Sequence, residues 1–326
     1  MTRHRLLPTL ATALLFLIAL NALLLLWGHR QAYVHKLEKL RTAANPDLLF
    51  LGNSLLDGHL DECALAASIA PVKRTPINAA LGATEPPEHL LLFRYARRLH
   101  PHLRTLVLGY YDFQLTTPDQ TPPLGLIGNR MVGLDHRFPL AEVASVYHST
   151  PRQRMTLAVL RNVPMLADRT NAWKDVELLR RHLAAMGMPP VASNAMGRVD
   201  DFAALESDST AAFDARADQF LRGPLAWNPS YTSLFAEARA AKIRIVLVLM
   251  PASPWHRSRF YSRSAWSPYR AAVESLAQRE QMATIDASNW LAGQTDFEDH
   301  LHMSPAGVTR FSTQLGQQLR AMHLDQ

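Results

Sequence analysis

The chain has 326 residues, 48% of them hydrophobic and 19% charged, with a formal net charge of +6. That is long and apolar enough for one large domain and excludes wholesale disorder. Arginines are spread along the sequence without an aromatic-interleaved basic patch, so no nucleic-acid partner is expected, and the positive balance suits an anionic membrane surface or an acidic polymer. Cys63 is the only cysteine. It can make no intrachain disulfide, and it reads as a small buried hydrophobe.

In chain order, Leu6 to Trp27 carries no charge and is long enough to cross a bilayer as a helix, with Arg3 and Arg5 before it and Trp27 at the interface. Residues 1–28 are therefore expected to form an N-terminal membrane anchor, with a cleaved signal peptide as the competing reading. Arg30, Lys36, Lys39 and Arg41 follow the span, so charge alone leaves the orientation open. Residues 29–46 read as a polar helical stalk, and 47–326 as the domain proper.

Within that domain Asp47 to Leu51 predicts a first strand, Asp57 to Ala70 a helix, and Thr75 to Ala80 a second strand. Pro86 and Pro87 open a helix to about Leu99, and Leu103 to Leu108 is a third strand. Residues 115–229 lose this regularity and read as an insertion. It holds an arginine-rich stretch, Arg152 to Arg181, taken as a solvated helix face, a helical piece at Trp173 to Met186, and a polar, acidic stretch near Asp200 to Asp218. Alternation resumes with a helix at Tyr231 to Ala241 and a strand at Ile243 to Met250. A helix at Tyr269 to Glu280, a strand at Met282 to Ala287 and a helix at Pro305 to Met322 follow. Near-continuous apolar strands alternating with helices predict an α/β fold, a flavodoxin-like three-layer α/β/α sandwich around a parallel sheet.

The chemistry-bearing residues fall at the carboxyl ends of the strands, where open α/β sheets bind ligands. Ser54 follows the first strand in Gly52-Asn53-Ser54-Leu55-Leu56-Asp57-Gly58. Gly82 follows the second strand, and Tyr111 and Asp112 follow the third in Gly109-Tyr110-Tyr111-Asp112. Asp299 and His302 precede the last helix in Asp299-His300-Leu301-His302-Met303-Ser304-Pro305-Ala306-Gly307. A serine hydroxyl needs a base to become a nucleophile. His302 is the candidate base, Asp299 its orienter, and the N–H groups of Ser54 and Gly82 are candidate oxyanion donors. The plainer readings are a helix cap for Ser54 and for Asp299, a surface position for His302, a turn for Gly82, and a structural role for Asp112. The His300/His302 and His100/His102 pairs lack further metal ligands in a convincing spacing, so no metal or cofactor is expected. Pro251 to Trp255 reads as an ordinary loop.

These segments resemble the SGNH (GDSL-type) hydrolase superfamily. Gly52-Asn53-Ser54-Leu55 matches the first block, Gly82 in Asn78-Ala79-Ala80-Leu81-Gly82 the oxyanion glycine, and Asp299-x-x-His302 the last block. The third block, Gly-x-Asn-Asp, departs from the pattern, with Tyr111 in place of the asparagine donor. The resemblance implies acyl-ester chemistry through an acyl-enzyme, by esterase or O-acyltransferase. The anchored layout is similar to envelope proteins such as relatives of the alginate O-acetylation proteins and of the D-alanyl transfer protein DltD. It implies a domain outside the membrane, an acylated polysaccharide or small acyl ester as substrate, and a membrane-bound acyl-donor protein as partner. A non-catalytic binding or assembly component of the same fold is the alternative.

Overall fold

The computed structural model describes residues 3–28, 32–70, 74–82, 84–117, 132–163, 202–221 and 225–322. The chain divides into two compact units, 1–39 with 121–193 and 40–120 with 194–326. Helix α1 spans Arg3–Gly28 and α2 spans Ala32–Thr42. Side chains are described for 11–23 of α1, where Leu14, Leu15, Phe16, Ile18 and Leu23 are exposed. Among the described residues, no helix is long and apolar enough to cross a membrane.

The second unit is built on five parallel strands. In chain order these are β1 (Leu48–Leu51), α3 (Glu62–Ile69), β2 (Pro76–Asn78), α4 (Pro86–Leu99) and β3 (Thr105–Tyr110). Helices α5 (Leu140–Val146) and α6 (Pro151–Asn162) belong to the first unit. The second unit then continues with α7 (Phe202–Leu221), α8 (Pro229–Ala240), β4 (Arg244–Leu249), α9 (Trp266–Arg279), β5 (Ala283–Asp286) and α10 (Pro305–Ala321). The sheet order β2-β1-β3-β4-β5 is the flavodoxin-like winding, so β1 and β3 lie side by side at its centre.

The three central strands β1, β3 and β4 are buried on both faces, which is why they read as nearly unbroken apolar runs. Alternate residues divide between two layers. Leu48, Phe50, Val107, Val246, Val248 and Ile285 pack with Leu65 and Ile69 of α3 and with Phe311, Leu315 and Leu319 of α10. Helices α3 and α10 cross closely because Gly316 has no side chain: a Cβ there would stand 2.7 Å from Ser68 Cβ and 2.8 Å from Leu65 O. On the opposite face α4 packs on β1 and α8 on β4, and Arg94 Nε donates to Glu237 Oε1 at 2.9 Å to join the two helices.

Four expectations are corrected. The helix after the first strand begins at Glu62, five residues later than predicted, because Gly58 takes φ +76° and Asp61 is the residue that caps it. The third strand runs two residues further, to Tyr110, in register with β4. Cys63 is exposed: α3 turns Leu65 and Ile69 inward and leaves Cys63 on the solvent side. Arg161 is buried and donates to the carbonyls of Asp135, at 2.6 Å, and Phe138, tying α6 to the segment before α5. The expected helix at Trp173 to Met186 lies outside the described residues.

Candidate active site

The turn after β1 is fixed by its own backbone. Asn53 C=O accepts from Leu56 N–H at 3.1 Å and Asp57 N–H at 3.0 Å, and Asn53 Oδ1 accepts from Leu55 N–H at 3.0 Å. Leu56 fills the space over Gly109 of β3, where a Cβ would stand 2.5 Å from Leu56 Cδ1. Glycine at this position of β3 lets Leu56 pack directly on the strand. Since Asp61 caps α3 through the N–H groups of Cys63 and Ala64, Ser54 is released from capping.

Ser54 Oγ lies 2.9 Å from His302 Nε2, and His302 Nδ1 lies 2.6 Å from Asp299 Oδ2. The other Asp299 oxygen accepts from the N–H groups of Leu301 (2.8 Å) and His302 (2.7 Å), so one carboxylate shapes the loop and orients the ring. The carboxylate requires a proton on Nδ1, which leaves Nε2 to accept from the serine hydroxyl. Asp299 does not cap α10: Ser304 does, through Gly307 N–H. The hydrogen bond to Asp299 raises the His302 pKa against the opposing effect of burial. Burial pulls the Asp299 carboxyl upward, but the hydrogen bonds from His302 and Leu301 outweigh it and hold the group below the usual carboxylate range. This is the arrangement that makes a serine oxygen nucleophilic.

The candidate oxyanion donors are placed differently from one another. Ser54 N–H makes no hydrogen bond among the described residues. Gly82 N–H donates to Asp57 Oδ2 at 2.8 Å, so the aspartate of the serine turn already occupies this donor. Tyr111 follows β3; burial, then the neighbouring Asp112, raises its pKa, and the Arg216 guanidinium of α7 opposes that rise. Arg216 also lines a cleft of about 350 Å³ with Phe113, Thr117, Phe220 and Trp227.

Asp112 is not part of the serine path. It is buried, holds a left-handed φ of 44°, and its Oδ1 lies 2.9 Å from Nε2 of the buried His256. His300 stacks on His256 with ring centroids 5.6 Å apart and planes at 19°, while His302 turns to the serine, so the His300/His302 pair does not converge. Burial, then the neighbouring His256, lowers the His300 pKa. His100 Nε2 donates to Leu40 C=O at 2.7 Å.

Sequence reasoning missed three contributors. His256 lies one residue past the loop singled out at Pro251 to Trp255, in the segment that follows the strongest strand, and that position was the available signal. His59, five residues after Ser54, has Nδ1 at 2.9 Å from Ser54 O and 3.0 Å from Asp57 O, and its ring centroid is 5.5 Å from that of His302. Behind the Gly82 loop, the buried His89 bridges Thr84 Oγ1 (3.0 Å) and Tyr231 Oη (2.8 Å), and burial lowers its pKa to about 3 against a backbone bond at Gly52. Nothing in its local sequence marked His89, since its partner Tyr231 is distant in the chain.

No family model matches the chain, and no curated protein matches it. Among solved structures it is similar to a protein described as a candidate acylhydrolase from Bacteroides fragilis, at 13% identity and TM-score 0.41, covering 91% of this chain and 98% of that one. It is also similar to a GDSL-like lipase from Bacteroides thetaiotaomicron, at 11% identity and TM-score 0.39, covering 89% and 98% of the two chains. A lipase/acylhydrolase from Enterococcus faecalis matches at 11% identity and TM-score 0.39, with 84% and 96% covered. All are distant, and the functional reading rests on the geometry of the site, not on them.

Proposed function

We propose that this chain is a serine-dependent acyl-ester enzyme that works through an acyl-enzyme at Ser54. The observation that carries the reading is the continuous path from Ser54 Oγ through His302 to Asp299. His302 Nε2 removes the hydroxyl proton as Oγ attacks the ester carbonyl, then returns it to the departing oxygen. Asp299 stabilises the imidazolium, and Ser54 N–H donates to the oxyanion. In the second half an entering hydroxyl, from water (esterase) or from a sugar (O-acyltransferase), gives its proton to His302, and the ester to Ser54 breaks. None of these steps needs a cofactor.

The finer reading is a membrane-tethered enzyme of the cell envelope, acting on acyl esters of exported polysaccharide with a membrane-bound acyl-donor protein as partner and its domain outside. The uncharged run Leu6 to Trp27 in the sequence and the net charge of +6 support it, together with the layout similar to DltD-like proteins. The test of function is fluorophosphonate labelling of the full chain in detergent. Wild type is expected to label, and Ser54→Ala and His302→Ala to fail. Absence of labelling on folded wild type would sink the proposal. It would instead favour a non-catalytic binding component of this fold, the reading to which the occupied Gly82 N–H lends support. Tethering is tested by flotation of the full chain with anionic vesicles, and a chain left in the dense fraction would count against it.

A further inference from the structure

His59 stands beside the catalytic imidazole without belonging to the Ser54–His302–Asp299 path. Its Nδ1 faces two carbonyl oxygens, Ser54 O at 2.9 Å and Asp57 O at 3.0 Å. Two acceptors require the proton on Nδ1, so Nε2 carries a lone pair. The ring is part-exposed, and Nε2 has no partner among the described residues. The His59 and His302 rings lie 5.5 Å apart with an interplanar angle of 36°. The site thus offers two neighbouring imidazole acceptors, one of them the base.

We infer that His59 is an acceptor-binding residue that selects a vicinal diol, as in a sugar or polyol, over an isolated hydroxyl or water. This deepens the acyl-enzyme reading and rests on it. One hydroxyl of the diol donates to His302 Nε2 and is the attacking oxygen, and its neighbour donates to His59 Nε2. Adjacent hydroxyls on one carbon pair are close enough together to bond two imidazoles at this separation. The attacking oxygen forms a bond to the acyl carbon and its proton passes to His302 Nε2. The acyl carbon–Ser54 Oγ bond then breaks, and His302 returns the proton to Oγ. Through Nδ1–H the same ring holds the Ser54 carbonyl, and so the turn that carries the nucleophile.

The test uses the full chain in detergent, p-nitrophenyl acetate as donor, and cis-1,2-cyclohexanediol or cyclohexanol as acceptor. The readout is the ratio of acetyl transferred to acetate released. That ratio is set after the acyl-enzyme has formed and is independent of how fast a variant acylates. Wild type is expected to favour the diol over the mono-ol, per hydroxyl, by about three- to tenfold, the range set by one hydrogen bond. In His59→Asn the amide N–H can replace Nδ1–H while the Nε2 lone pair is gone, so the diol preference is expected to vanish. His59→Leu loses both and is expected to acylate about tenfold more slowly than His59→Asn, since it alone frees the Ser54 carbonyl. Equal partition in wild type, or a diol preference that survives in His59→Asn, would overturn the inference while leaving the acyl-enzyme intact. No Ser54-dependent nitrophenol release would overturn the acyl-enzyme reading, and the inference with it.

Discussion

Two Asp–His pairs stand at the carboxyl edge of the same sheet and differ in what lies beyond the imidazole. In Asp299–His302 both groups are part-exposed, and the far nitrogen meets a serine hydroxyl. In Asp112–His256 the side chains are 11% and 3% exposed, and the far nitrogen, His256 Nδ1, is buried with no partner among the described residues. The chemistry of the pair is the same. What differs is access: the first can pass a proton to a substrate oxygen, whereas the second is sealed beneath His300 and Phe260 and fastens the turn after β3 to the loop after β4. A carboxylate–imidazole pair becomes an acid–base device only when its second nitrogen faces a reacting group.

Exchanging alanine into each pair breaks the comparison most directly. His302→Ala should bring ester turnover down by several orders of magnitude, on the order of 10⁵–10⁶ for a fully engaged serine site. His256→Ala should leave turnover within about tenfold and lower stability instead, because Asp112 would keep a buried acceptor without its donor, a cost of about 1–3 kcal/mol. Thermal unfolding read beside turnover separates the two, and equal turnover losses would mean that the buried pair also serves the reaction.

Asp299→Asn sharpens the contrast within the exposed pair. An amide can present the wrong hydrogen to Nδ1, and a turnover loss on the order of 10³–10⁴ is expected. The pH dependence carries a second signature. His302 must be neutral to act as base, and its pKa is raised by Asp299, so wild-type activity should climb with pH through a midpoint above about 6.5. With the carboxylate gone, burial is the main remaining influence, and the midpoint should fall toward or below about 6.5. The same coupling acts on stability. A raised histidine pKa contributes stability that is present below the unfolded value and is lost as pH rises through the folded one. The depressed Asp299 pKa contributes stability that is present above about 3.9 and fades as pH falls toward its lower folded value.

The parallel sheet was legible because its central strands β1, β3 and β4 are apolar runs bounded by glycine, proline or polar residues, and such runs are what double-sided burial requires. Ser54, Asp299 and His302 were legible because short motifs bring them to the strand ends, although only the structure brings residues 248 positions apart within 2.9 Å. His256 and His89 were not, since their partners Asp112 and Tyr231 lie 144 and 142 positions away and no local pattern announces a buried pairing. The engagement of Gly82 N–H by Asp57 was equally hidden: the sequence supplies a glycine at the expected place but says nothing about which acceptor its N–H will meet.

The smallest expected effect is the most discriminating for the turn after β3. If Tyr111 replaced the asparagine of the resembled family as an oxyanion donor, removing its hydroxyl would cost about 10²–10³ in turnover, as loss of one such donor does elsewhere. Burial, however, raises the Tyr111 pKa, and a less acidic hydroxyl is a weaker donor to a developing oxyanion. Tyr111→Phe should therefore change acylation by less than about threefold, the size of one partly exposed hydrogen bond. A loss of two orders of magnitude would place the tyrosine among the donors and make the β3 turn a working part of the site. A small loss would leave Ser54 N–H as the principal backbone donor, with Gly82 joining it only if the Asp57 carboxylate withdraws. Asp57→Ala in the Tyr111→Phe background resolves that last point: faster acylation in the double variant means that the freed Gly82 N–H reaches the oxyanion, and an unchanged rate means that it does not.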